Sequence, residues 1–238
     1  VFTAAALVSS PPLLIPALAG AAAAETADLR EASLAAALAL GERAPDWTVI
    51  GVGPTESEVP ADARGTFRGY GVDVRISMSA GVAAVADPDL PLAALIAGWL
   101  RAEASPWSSA TAVIVAEDTS PVYCAELGAR LRDTFDAESG PRGLLVVADG
   151  ANTLTAKAPG AFDDRAPQAQ RELDHALDVG DLEYLRQLDP VACRDLGIAG
   201  RAAWQVLAGV FGDDAPRCDT YYRGAPYGVG YHVGMWLP

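Results

Sequence analysis

The stretch TAVIVAEDTSPVYCAELGARLRDTFDAESGPRGLLVVADG, residues 111–150, decides the fold class. It opens on an apolar run, TAVIVAED (111–118), of the kind that forms a strand buried on both faces. Ser120 followed by Pro121 is an N-cap and first-position pair, so a helix is expected over 120–135. A second apolar run, RGLLVVADG (142–150), reads as another buried strand. Strand, helix and strand in that order make a crossover unit, which is how two parallel strands are joined.

The same pattern extends toward the N-terminus. FTAAALV (2–8) reads as a strand that ends at Ser9-Ser10-Pro11-Pro12, and the text from Glu25 to Arg43, with Leu29, Leu34, Leu38 and Leu40, reads as an amphipathic helix. No Lys or Arg precedes Arg30, and the prolines stop the first apolar run after about seven residues, so it is read as a strand-to-loop junction and not as a secretory leader. DWTVIGVG (46–53) is a further buried strand. YGVDVRISM (70–78) alternates Val72, Val74 and Ile76 with polar residues, the pattern of a half-exposed strand near an edge. A helix is expected over 90–104, with Asp89 as cap and Pro91 in its first turn. Beyond Gly150, residues 162–210 carry several helical patterns, and the end returns to strand-like text. The expectation is an α/β fold: a single three-layer domain over 1–238, with a mainly parallel or mixed sheet and helices on both faces.

The net charge of -14, from 17 Lys+Arg against 31 Asp+Glu, opposes a phosphate backbone and an anionic membrane surface. Neither nucleic acid nor membrane is expected as a partner. The cysteines, Cys124, Cys193 and Cys218, are far apart and show no CxxC spacing, so they are read as free thiols of a cytoplasmic protein.

GVGPTES (51–57) is half of a dinucleotide fingerprint, but Pro60 and Gly65 prevent a helix from opening behind it, and no nucleotide cofactor is expected. The histidines are His175 and His232. His175, flanked by Asp174 and Asp178, is read as part of a solvated helix face. In the last strand Tyr227, Val229, Tyr231, Val233 and Met235 share one face, while Gly228, Gly230, His232 and Gly234 share the other. A glycine-lined face admits a packing element or a ligand; packing is the expectation, with His232 the better pocket candidate of the histidines. The polar segment DGANTLTAKAPGAFDDRA (149–166) starts at the carboxyl end of a buried strand, where open α/β sheets bind ligands, so Asn152, Thr153, Thr155 and Lys157 are candidate site residues.

Taken together, PPLLIPALAG (11–20), FRGYGVD (67–73), LLVVADGANTLTAKAPGAFDDRA (144–166), ALDVGDLEYLRQLDP (176–190), GRAAWQVLAG (200–209) and APYGVGYHVGMW (225–236) resemble the LigB-type class III extradiol ring-cleavage dioxygenase superfamily, in its subunit-B-like, uncharacterised actinobacterial branch. The resemblance implies an α/β domain that holds Fe(II), or Zn in some members, on two His and a Glu at the carboxyl ends of its strands. A further His serves as acid/base when O₂ opens a catechol ring. This chain departs from that set. Ser10 stands at the first ligand position, the Gly53-Pro54 region at the second, Gly150–Leu154 at the acid/base position, and the carboxylate region offers Arg201.

No cofactor is therefore expected, with Fe(II) or Zn only if Glu56, Asp149 and His232 act as replacement ligands. The expected function is a non-catalytic small-molecule-binding or regulatory protein. The alternatives are an enzyme with a rebuilt crevice, metal-dependent or metal-independent, in which Asn152, Thr153, Lys157 and Glu56 act on a polar ligand and Lys157 is a base or Schiff-base group, and a protein–protein interaction subunit, with a homodimer as the simplest case.

Overall fold

The computed structural model describes residues 1–81 and 85–238. In chain order the elements are β1 (Phe2–Val8), α1 (Pro16–Ala19), α2 (Ala27–Arg43), β2 (Asp46–Gly53), β3 (Ser57–Val59), β4 (Arg64–Thr66), β5 (Arg75–Ser77), α3 (Leu92–Ala104), β6 (Ser109–Ala116), α4 (Pro121–Ala137), β7 (Arg142–Val147), α5 (Ala166–Val179), α6 (Leu182–Arg186), α7 (Pro190–Asp195), α8 (Arg201–Phe211), β8 (Arg217–Gly224) and β9 (Tyr231–Leu237). Seven strands form one sheet in the order β3-β6-β2-β7-β1-β9-β8. β6, β2, β7 and β1 are parallel, and β3, β9 and β8 are antiparallel additions at the two ends.

Strand periodicity builds the three layers. In β1, Ala4, Ala6 and Val8 face α2 and α3, while Ala5 and Leu7 face the layer of α4, α5 and α8. Phe2 joins the second face because the register shifts between Phe2 and Ala4. Leu14, Leu29, Leu40 and Leu95 are fully buried in the first layer, where each contributes about 2 kcal/mol by leaving water. In the second layer Phe211 meets Phe2 and Trp236 edge to face, and the Trp236 indole N–H donates to Leu177 O at 3.1 Å.

The connections explain where an opening arises. α2 follows β1 and α3 precedes β6 on one face, whereas α4 follows β6 and α5 follows β7 on the other. Neighbouring parallel strands therefore send their chains to opposite faces, and the carboxyl edge of the sheet parts into crevices at such points.

Several sequence expectations shift. Residues 70–78 are not an edge strand of the main sheet. The chain makes a 3₁₀ turn over Phe67–Tyr70, closed by Gly71 at φ 104°, and only Arg75–Ser77 pairs, with Arg64–Thr66, as a separate ribbon. Asp73 anchors that turn; hydrogen bonds from Arg75, Thr66 and Arg68 hold its carboxyl down to about 2. Asp89 does not cap α3, whose N-cap is Pro91. Ser120 does cap α4, accepting from Tyr123 N at 3.2 Å. β7 stops at Val147, ahead of its expected end at Gly150, because the following backbone turns to other partners. Asp149 O accepts from Gly200 N, and Gly150 N donates to Gly230 O.

Candidate functional site

Ser10 and Asp149 meet at the carboxyl edge, beyond β1 and β7. The backbone N–H of Ser10 donates to Asp149 Oδ1 at 2.8 Å, and its hydroxyl donates to Oδ2 at 2.6 Å. Pro11 ends the extended chain and opens a 3₁₀ turn at once, which holds Ser10 at this edge. Asp149 is half-buried, and with Ser10, Val52, Leu92, Ala93 and Ala199 it lines a cavity of about 60 Å³. Burial raises its carboxyl above the usual carboxylate range, against the opposing pull of the Ser10 hydrogen bonds.

Beside it, beyond β2 and β6, lies a wider cleft of about 730 Å³, lined among others by Pro54, Glu117, Asp118, Asn152, Arg194 and Arg201. Gly197, at φ 66°, lets the α7–α8 turn pass close to Asn152: a Cβ there would stand 1.8 Å from Asn152 Oδ1. Cys193 also lines the cleft, and burial pushes its thiol up to about 11, so it is protonated and inert at neutral pH.

The remaining candidates divide. Thr153 is buried and donates to Leu196 O at 2.7 Å, which fixes the turn before α8. Thr155 and Lys157 are exposed and belong to a separate surface recess near Tyr227 and Gly228. The expectation of Lys157 as a base within an apolar crevice is thereby corrected. Glu56 is exposed and accepts from the Tyr123 hydroxyl at 2.7 Å.

The His232 backbone lies at the carboxyl end of β1, where its N–H donates to the Ser9 hydroxyl at 3.2 Å, but its ring is directed to α5. It lies under α5, with Nε2 3.2 Å from Asp178 Oδ1, and Asp178 also accepts from Thr220 and Arg223. Burial lowers its pKa, although Asp178 opposes the shift. The glycine-lined face of the last strand is a packing surface. Gln170 fills it, accepting from Ala151 N at 2.8 Å and donating to Asp174 at 2.7 Å, and a Cβ at Gly150 or Gly230 would stand 2.2 Å from its amide. His175 is exposed on α5, as a solvated face requires. Glu56, Asp149 and His232 therefore do not converge as replacement ligands, and among the described residues no group of three or more His, Cys, Asp or Glu is placed to hold a metal ion.

Glu117 and Asp118 escaped the sequence reading, although an acidic pair directly after a buried strand was a usable signal. Arg194 gave none, because a surface-helix arginine has many ordinary explanations.

No family model matches the chain, and no curated protein does. Among solved structures, the uncharacterized protein JW3007 from Escherichia coli K12 is similar, with a TM-score of 0.54 at 10% identity over 99% of this chain and 100% of that one. At such identity the likeness shows the fold alone, a three-layer α/β arrangement. Among the described residues no helix is long and apolar enough to cross a membrane.

Proposed function

We propose that this chain is an extradiol-type protein of the LigB superfamily that has given up ring cleavage and uses the carboxyl-edge crevice to bind a small molecule. The Ser10/Asp149 pair carries the reading. At the position where the resemblance places the first imidazole, a hydroxyl is committed to a carboxylate at 2.6 Å. The donors there do not fit Fe(II) or Zn held in the family's manner. A serine hydroxyl is a poor iron ligand, and the histidines lie on α5 and under it, outside the crevice. The neighbouring cleft of about 730 Å³ is of ligand size. The free thiols of Cys124, Cys193 and Cys218 support a reducing, cytoplasmic setting.

A second reading, a metal-independent enzyme, is favoured by Asp149 itself, a carboxyl raised by burial that faces a cavity beside a hydroxyl. The test of the main reading is metal analysis of protein purified without chelators, followed by anaerobic Fe(II) reconstitution and a catechol ring-opening assay. The expected result is no stoichiometric metal and no ring cleavage. One equivalent of iron together with ring-opened product sinks the proposal.

A further inference from the structure

Arg201 is the first residue of α8 and only 3% exposed, yet its hydrogen bonds all go to neutral oxygens. Nη1 donates to Thr119 O and to Gln205 Oε1, each at 2.8 Å, and Nη2 donates to Glu117 O at 2.6 Å. Nε–H and the second Nη2–H remain without a partner among the described residues. A buried cation held only by neutral acceptors retains much of its desolvation cost, which an anion would offset. Arg201 lines the 730 Å³ cleft, where such an anion has room.

Neighbouring groups strengthen the case. Arg194 is exposed on the same cleft, and no side chain caps α8, whose N-cap is Gly200, so the positive end of its dipole adds to the field there. Asn152 supplies an amide to the same cleft. Glu117 and Asp118, also lining it and exposed, oppose a second negative group and favour hydrogen-bond donors.

We infer that the cleft is an oxyanion site whose ligand is a small monocarboxylate carrying hydrogen-bond donors at its other end, with Arg201 as the anchor. The planar guanidinium matches a carboxylate through two parallel N–H bonds. This inference rests on the small-molecule-binding reading above and names the chemistry of its ligand.

The test follows the arginine Nε–H resonances by NMR while glycolate, lactate or serine is titrated at fixed ionic strength, with malonate and inorganic phosphate as dianion probes. The monocarboxylates are expected to shift the Arg201 Nε–H saturably and the dianions to bind more weakly. Arg201→Gln is expected to weaken binding about tenfold or more, and Arg194→Gln, an exposed position, about threefold. If Arg201→Gln does not fold, the wild-type Arg201 resonance and Arg194→Gln decide the outcome. A static Arg201 Nε–H under every probe, tighter binding of the dianions, or unchanged affinity in Arg194→Gln overturns the inference. Those results leave the broader proposal standing if neutral compounds still bind in the cleft, whereas iron-dependent ring cleavage removes both.

Discussion

Two regions of the sheet each bury a titratable group beside a single side-chain partner, and they differ in what surrounds it. At the β1/β7 edge Asp149 pairs with Ser10 and faces a cavity. At the β8/β9 end His232 pairs with Asp178 beneath α5, and Asp178 is already engaged by Thr220 and Arg223. Burial is the largest influence on both groups and favours the neutral form of each, raising the acid and lowering the base. The difference comes from topology. Parallel strands whose connections leave to opposite faces part at their carboxyl ends, whereas an antiparallel pair under a helix closes over its side chains. A buried titratable group points to a site where the fold also leaves room beside it.

The comparison breaks first on packing. Gly230→Ala should cost about 2 kcal/mol in a denaturant titration, because its Cβ would stand 2.2 Å from the Gln170 amide. An unchanged midpoint would mean that the glycine face is open after all. The pH dependence sharpens the comparison next, with slopes of at most about 1.4 kcal/mol per pH unit for each proton. Asp149 holds its proton to higher pH in the folded state than in the unfolded chain. Its stabilising contribution is therefore present below about pH 4 and is lost as pH rises through the folded value. His232 has the opposite sign. Its folded pKa is depressed, so its contribution is present above about pH 6.5 and is lost as pH falls through the folded value. Asp149→Asn should flatten the first slope and His232→Gln the second, as read from unfolding midpoints across pH.

Ser10→Ala should cost about 1 kcal/mol, because a half-buried carboxyl loses its hydroxyl partner, and should raise the Asp149 pKa further, as carboxyl NMR would report. Lys157→Ala, at an exposed side chain outside the crevice, should change stability by less than about 0.5 kcal/mol.

The layers were legible because β1, β2, β6 and β7 are short, apolar and bounded by Pro, Gly or Ser. The helix signal at Ser120-Pro121 read true for the same local reason. Residues 70–78 misled because alternation records which residues are half-buried and not which strand they pair with; Asp73 and Gly71 bend that segment away from the sheet. At the site, Asn152 is found from its place after a strand, and Ser10 from the family resemblance. Thr155, Lys157, Glu56 and His232 were grouped with them because a sequence places residues along the chain and not across the sheet. The Ser10/Asp149 contact spans 139 residues, a separation at which local pattern carries no information.

The most direct test of the crevice as the binding region is chemical-shift mapping of the full chain with a library of small polar fragments. Saturable shifts are predicted to gather at Ser10, Asp149, Asn152 and residues 197–201, and to leave Lys157, His175 and the His232 ring unmoved. Saturable binding that maps instead to the recess beside Lys157 and Tyr227, or to the hairpin around His232, would contradict the account.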